Sequence, residues 1–348
     1  MKIQIDIGHP AHVHYFKNLI WDMERKGHEF AVTARNKEII HHLLRAYGIK
    51  YTDRGSGSPN ILGKIIYLPK ADMLLYKVAT AFKPDMFLSF GSMYAAHASR
   101  LVGRPHIAFD DTEKATLGRA LYAPFTDMIC TPSCFTKELG KRKHRRYNGF
   151  IELCYLHPKR FKPDRKILDD IGVGSRTRFH VVRFVSWGAS HDVGETGLRL
   201  DEKRRLINLL EKDGDVYITS EGKLPAEFEK YRLPVKPEQI HHLLAYATLY
   251  FGESPTMATE SAILGTPAIC VNSWACDCGN FNELKKYDLI GCYHPRDFDR
   301  ALDHTRKLLS RPGLKAEWAR KRDKLLEDKI DVTAWMMELI EGFIQTPH

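Results

Sequence analysis

The segment most suggestive of chemistry runs from residue 252 to 269, GESPTMATESAILGTPAI. Ser254 is a residue type that caps a helix N-terminus, and Pro255 suits the first helical position. The N–H groups just beyond Pro255 then point outward, where the helix dipole favours an anion such as a diphosphate. Thr256 and Glu260 are four residues apart and so share one helix face. A carboxylate one turn inside such a helix is placed to accept both hydroxyls of a ribose. Ser254, Thr256, Met257 and Glu260 are therefore candidate contacts for a nucleotide-linked sugar, although the same spacing also describes a well-capped helix with an exposed Glu. Ala258, Ser261, Ala262 and Gly265 are small enough for that helix to lie close on a sheet.

Four other segments carry polar groups at the ends of strand-like runs. GHPAHVH (8–14) brings His9, His12 and His14 together. His9, at the strand end, is a candidate acid, base or sugar contact. His12 and His14 are two apart and diverge on a helix start, so no metal site is expected. HIAFDDTE (106–113) clusters Asp110, Asp111 and Glu113. Mutual repulsion there raises one pKa and offers a general acid or base, while capping of the next helix by Asp111 or Thr112 is the structural alternative. VVRFVSWGASHDVG (181–194) places Arg183 within a strand and Ser186, Trp187, His191 and Asp192 beyond it. An Arg there suits a diphosphate. Ser220 and Glu221 follow a later strand. Asp213-Gly-Asp215 is formally a D-x-D motif, but it leads into a strand and reads as a turn. Cys276 and Cys278 form a C-x-C with no second ligand pair at zinc spacing, so free thiols are expected there.

The elements that must position these groups alternate. Strand patterns at 3–7, 28–34, 49–52, 85–90, 105–109 and 128–130 are separated by helical ones. In the helix over 13–26, Val13, Phe16, Leu19, Ile20 and Met23 recur at helical spacing. A second series has strands at 179–185, 215–220, 248–251 and 267–271 and helices at 202–212, 237–245, 255–264 and 280–286. This is β-α-β repetition, an α/β class with parallel sheets covered on both faces. The expected division is a Rossmann-like N-terminal, acceptor-side domain over 1–158, a linker over 159–178, and a Rossmann-like nucleotide-sugar domain over 179–330. A final helix at 331–348 is expected to pack back on the first domain. In such folds, ligands sit at the carboxyl ends of the strands.

The pattern of acidic and hydroxyl residues, then Glu260, then Gly265-x-Pro267 resembles the nucleotide-sugar motif of GT-B glycosyltransferases and UDP-N-acetylglucosamine 2-epimerases. Over nearly its full length the chain is more similar to an uncharacterised archaeal and bacterial family of the GT-B superfamily. Residues 5–16, 106–113, 147–158, 181–194, 216–222 and 252–269 carry that likeness. The resemblance implies two doubly wound domains facing a central cleft. It places a carboxylate near Asp110 and a catalytic His near His191, although SHDVG stands where the epimerases have an Arg-rich run.

The chain has 348 residues, enough for two domains. Its 53 Lys and Arg against 43 Asp and Glu give +10, a balance suited to anionic partners. The densest basic run, KRKHRR (141–146), reads as a solvated loop or helix end, with an anionic membrane or acceptor patch as the alternative. It lacks the interleaved aromatics of nucleic-acid recognition, and no nucleic acid is expected. No G-x-G-x-x-G follows either first strand, which argues against a dinucleotide oxidoreductase. No apolar run reaches the roughly 20 residues of a membrane span. The expected protein is cytoplasmic, with peripheral contact at the inner membrane face. It is read as a metal-independent glycosyltransferase-like enzyme without cofactor, using a nucleotide sugar, UDP-linked by resemblance, and a lipid-linked or polysaccharide acceptor. In that reading His9, Asp110, Asp111 and His191 are the catalytic candidates, and Arg183, Ser186, Ser220, Glu221, Ser254, Thr256, Met257 and Glu260 bind the donor. A non-hydrolysing 2-epimerase and a non-catalytic nucleotide-sugar-binding protein are the rival readings.

Overall fold

Parallel strands need long crossovers, and the alternation of strand and helix in the sequence supplies them. A computed structural model of the chain describes residues 1–57, 61–174, 177–185, 197–220 and 223–345. Two compact units result: one of Met1–Arg160 together with Ile330–His348, the other of Phe161–Lys329.

The first unit is built on β1 (Lys2–Ile7), β2 (Glu29–Ala34), β3 (Thr52–Asp53), β4 (Met86–Phe90), β5 (His106–Phe109), β6 (Met128–Pro132) and β7 (His144–Tyr147). Among the described residues these form one parallel sheet in the order β3-β2-β1-β4-β5-β6-β7. Its helices are α1 (Pro10–Arg25), α2 (Ile40–Ala46), α3 (Ile61–Phe82), α4 (Met93–Val102), α5 (Thr116–Tyr122) and the short α6 (Leu153–Leu156). The apolar residues foreseen for α1 are all buried, and Gly27 follows it with φ +86°, a left-handed turn that favours glycine.

The second unit holds β8 (Phe179–Phe184), β9 (Asp215–Ser220), β10 (Leu249–Gly252), β11 (Ala268–Val271) and β12 (Ile290–Tyr293), parallel in the order β12-β11-β10-β8-β9. Its helices are α7 (Lys166–Asp170), α8 (Leu200–Leu210), α9 (Ile240–Tyr246), α10 (Pro255–Ile263), α11 (Gly279–Lys286), α12 (Phe298–Leu309) and α13 (Leu314–Asp328). The stretch read as a linker contains α7, whose Ile167 and Leu168 are buried. The chain then returns to the first unit with α14 (Val332–Gln345), where Trp335 stacks near Tyr147 and Thr333 Oγ1 donates to the Cys154 carbonyl.

Two strands went unread in the sequence. One is β12. The other is β7, which lies within the basic run and forms an edge of its sheet. There His144 is buried and bonded to Thr131 Oγ1 at 2.7 Å, while Arg146 donates to the carbonyls of Ser133, Phe135 and Lys137 and to Glu138. The run is therefore partly structural, and its remaining cations guard an edge strand. The free-thiol expectation also needs correction: Cys276 is disulfide-bonded to Cys292 of β12, with Cα atoms 5.4 Å apart, whereas Cys278 is free and buried. The D-x-D is a turn, as read. Asp213 pairs with Arg178 and with His180 Nε2, each at 3.0 Å, at the entry to β9. No described helix is long and apolar enough to cross a membrane.

The interior of the first sheet contains a neutral imidazole. His106 is fully buried between Ser89 Oγ and Thr126 Oγ1, each 2.9 Å away, and burial lowers its pKa to about 3. In the unfolded chain the ring titrates near 6.5. As pH falls below that value the unfolded state takes up a proton that the folded state refuses, so stability is lost on acidification. Between pH 6.5 and 5 the loss for this one residue is about 2 kcal/mol. Urea titrations at the two pH values should show the first unit's midpoint falling, and His106→Asn should flatten that dependence.

Candidate functional site

Each sheet reverses its strand order once, and at that point two neighbouring loops diverge to opposite faces and leave a crevice beyond the strand ends. In the second unit the reversal lies between β8 and β10. Gly252, the last residue of β10, is in register with Arg183 of β8, and the Glu253 N–H donates to the Arg183 carbonyl at 2.9 Å. A Cβ at Gly252 would come within 2.8 Å of that carbonyl and would also meet Tyr250, so glycine is required for the close approach.

Ser254 then caps α10, its Oγ accepting from the Met257 N–H at 3.4 Å, with Pro255 following as the sequence suggested. Ser254, Thr256 and Met257 are half-buried. No acidic side chain lies in the helix's first turn. Ala258, Ser261 and Ala262 are buried, as small residues facing the sheet should be. Arg183 is half-buried beside this start, and its Nη1 donates to Thr219 Oγ1 of β9 at 2.8 Å. Ser220 ends the same strand and is also half-buried.

Glu260 differs from its expected role. It is only 4% exposed, and its Oε1 lies 2.9 Å from His241 Nε2 of α9. A carboxylate taken out of water needs such a partner, so Glu260 ties α10 to α9 rather than lying open on the Thr256 face. Ser186, Trp187, His191, Asp192 and Glu221 lie outside the described residues.

Sequence reading passed over Glu253. Its carboxylate is buried, with Oε2 accepting from the Val185 N–H at 2.9 Å and Oε1 from the Leu198 N–H at 2.5 Å. One side chain thus gathers both flanks of the 186–196 segment. Gly197 lies so close that an added Cβ would sit 2.6 Å from Oε1. Burial raises the Glu253 pKa, opposed by Lys203 and by the two N–H donors. The signal was a carboxylate directly after an apolar strand, where burial demands a purpose.

In the first unit the strand order reverses between β1 and β4. His9 is the N-cap of α1, exposed, its Nδ1 accepting from the Ala11 N–H at 3.3 Å. His12 sits 5.8 Å from it, ring to ring, and burial followed by the charge of His9 holds its pKa well below the usual value. His14 points elsewhere, buried against Tyr47 and Tyr155. At the end of β1, Asp6 accepts from Thr33 Oγ1 at 2.8 Å and Ser92 Oγ at 2.5 Å and pairs with buried Arg54 at 3.0 Å.

The three carboxylates after β5 are dispersed rather than clustered. Asp110 is buried, its Oδ2 accepting from Arg119 Nε at 2.9 Å and Tyr122 Oη at 2.6 Å, its Oδ1 from the Thr112 N–H at 2.9 Å. Asp111 is half-buried and accepts from its neighbour Thr112 Oγ1 at 3.0 Å. Glu113 is buried and accepts from the Thr136 N–H at 3.3 Å. Neither Asp111 nor Thr112 caps α5, whose N-cap is Ala115. Asp110 instead closes its own turn and anchors α5 through Arg119 and Tyr122.

The chain belongs to the family described as Protein of unknown function (DUF354), whose model matches residues 1–330. An uncharacterised protein of Methanocaldococcus jannaschii is 25% identical over 281 residues, which cover 77% of this chain and 81% of that protein. Among solved structures, UDP-GlcNAc 2-epimerase from Neisseria meningitidis bound to UDP-GlcNAc has a TM-score of 0.69 at 13% identity, covering 99% of this chain and 100% of that one. The glycosyltransferase VinC in complex with dTDP has a TM-score of 0.64 at 15% identity, covering 99% and 100%. The M. jannaschii UDP-GlcNAc 2-epimerase in complex with UDP-GlcNAc and UDP has 0.66 at 13%, covering 90% and 94%. The fold is therefore that of the GT-B glycosyltransferases and 2-epimerases.

Removing the Glu253 carboxylate strands the buried Leu198 N–H and the part-buried Val185 N–H, at about 1–3 kcal/mol each. Glu253→Ala should destabilise the second unit by about 3 kcal/mol in urea unfolding. The amides of Val185 and Leu198 should lose hydrogen-exchange protection ahead of the rest of β8.

Proposed function

We propose that this protein is an enzyme acting on a nucleotide-activated sugar, and that it transfers the sugar to an acceptor without a metal ion. The observation that carries this reading is the start of α10. A capped helix with no acidic residue in its first turn opens at the strand-order reversal, beside Arg183 on the adjacent strand. An anion there meets the helix dipole, the Thr256 N–H and a guanidinium together. A nucleotide diphosphate is the leaving group whose growing charge such an arrangement stabilises. Thr256 and Met257 then contact the nucleoside side of the donor, with Ser220 at the neighbouring strand end. Glu260 acts behind them by holding α10 against α9.

For the acceptor hydroxyl, His9 and Asp111 are the candidate bases. Asp110 is the weaker candidate, because both its oxygens already accept hydrogen bonds from Arg119, Tyr122 and the Thr112 N–H. The support from known proteins is the shared fold of enzymes whose complexes contain UDP-GlcNAc or dTDP. A lipid-linked acceptor rests on the basic run at 141–146.

A thermal-shift screen against UDP, GDP, dTDP and CDP sugars tests the donor site. One sugar nucleotide should stabilise the protein by about 2–3 kcal/mol at a hundredfold excess over its Kd. Arg183→Gln and Thr256→Ala should weaken that binding about tenfold or more, as loss of a charge-assisted hydrogen bond would. No shift with any sugar nucleotide overturns the reading. Incubating the stabilising nucleotide sugar in D2O without acceptor separates the chemistries: deuterium entering C2 of the sugar would mean epimerisation in place of transfer.

A further inference from the structure

The helices on one face of the first sheet leave apolar side chains on their outer side. α3 turns Ala71, Leu75 and Ala79 inward against Phe87, Ala95 and Ala98. Its outward positions nonetheless carry Ile66 (58% exposed), Met73 (53%) and Tyr76. Leu117, Leu121 and Phe125 follow one another at intervals of four along α5 and the 3₁₀ turn after it, and Leu117 is 77% exposed. Leu101 of α4 is 66% exposed. These positions form one surface. Asp72 of α3 hydrogen-bonds His97 of α4, the His97 ring meets the edge of Phe125 at 4.9 Å, and Leu101 lies one turn beyond His97 on the same helix.

The exposed charges around this surface are mostly positive. Lys70 and Lys77 flank Met73 on α3, Arg100 and Arg104 flank Leu101, and Lys114 precedes α5. All five are exposed, and none makes a salt bridge among the described residues. Among the carboxylates of the region, Asp72 is bonded to His97, Asp110 to Arg119 and Asp85 to the Lys2 N–H, while exposed Asp127 accepts from the His106 N–H. Scattered apolar residues on a surface are ordinary, but a contiguous set rimmed by unpaired cations is the pattern of a helix layer that lies on anionic lipid. A second copy of the chain fits poorly, because a two-fold contact would bring one cationic rim against another.

We propose that the α3–α4–α5 layer of the first unit docks on an anionic membrane surface, with Met73, Tyr76, Leu101, Leu117, Leu121 and Phe125 entering the headgroup boundary. This assigns membrane contact to a different face from the 141–146 run, and it stands independently of the donor reading. The test is co-sedimentation of the full chain with vesicles of phosphatidylcholine alone or mixed with phosphatidylglycerol. Binding should require the anionic lipid and should fade as salt approaches about 1 M, where the screening length is roughly 3 Å. The combined Leu117→Gln, Leu121→Gln, Phe125→Gln variant, and separately Lys70→Glu with Lys77→Glu, should each reduce partitioning about tenfold. Circular dichroism should stay unchanged, and Leu117→Gln alone, at the most exposed of these positions, should lower partitioning without moving the melting temperature. Absence of wild-type binding to the anionic vesicles overturns the proposal. So does binding that both variants retain, or a concentration-dependent dimer that the apolar variant abolishes while vesicle binding is absent.

Discussion

Two parallel strands cannot be joined by a tight turn, and this single restriction shapes both halves of the molecule. Each connection must travel the length of the sheet and return, so every strand delivers its C-terminal end to the same edge. Where the order of winding reverses, adjacent loops part and a crevice opens without any residue having to carve it. In the second unit that crevice receives Arg183 from β8 and the beginning of α10 from β10; in the first it receives His9 from β1 and Ser92 from β4. The placement of polar groups follows from topology before any particular side chain is considered.

The loops at these edges are held by buried carboxylates, each answered by donors. Asp6 gathers Thr33, Ser92 and Arg54; Asp110 gathers Arg119, Tyr122 and a backbone N–H; Glu253 gathers two backbone N–H groups; Glu260 meets His241. An unanswered charge at such depth would cost several kcal/mol, so each carboxylate imposes a definite geometry on the loop that answers it. This division separates the side chains buried in the edge from those that stay partly or fully exposed at it, namely Ser254, Thr256, Asp111 and His9.

Much of the architecture was legible because periodicity and turn chemistry are local. α1, its closing Gly27, the cap at Ser254 and the small-residue face of α10 could be read from spacing alone. The β7 strand could not, because its burial does not alternate and falls among cations: His144 and Tyr147 are buried while Arg145 and Arg146 are exposed. The clustering of Asp110, Asp111 and Glu113 in sequence misled for a related reason. Neighbours along a loop need not be neighbours in space, and their partners Arg119, Tyr122 and Thr136 lie 9 to 23 residues downstream. The Cys276–Cys292 bond joins a loop to a strand that had gone unread, so its second cysteine had no assigned place.

The return of α14 to the first unit has a consequence for how the chain is made. That unit's final helix supplies Trp335 against Tyr147 and Thr333 beneath Cys154, and Asp331 just before it pairs with Arg160. None of Asp331, Thr333 and Trp335 has left the ribosome when the first 160 residues have emerged, whereas the second unit is continuous and has all of its strands once β12 is out. At roughly 5–20 residues per second, the early half waits some ten seconds or more with the seat of α14 uncovered. Vectorial synthesis thus favours the later-made unit finishing first, and leaves the earlier one as the stage at which a nascent chain is exposed to chaperones or to misassembly.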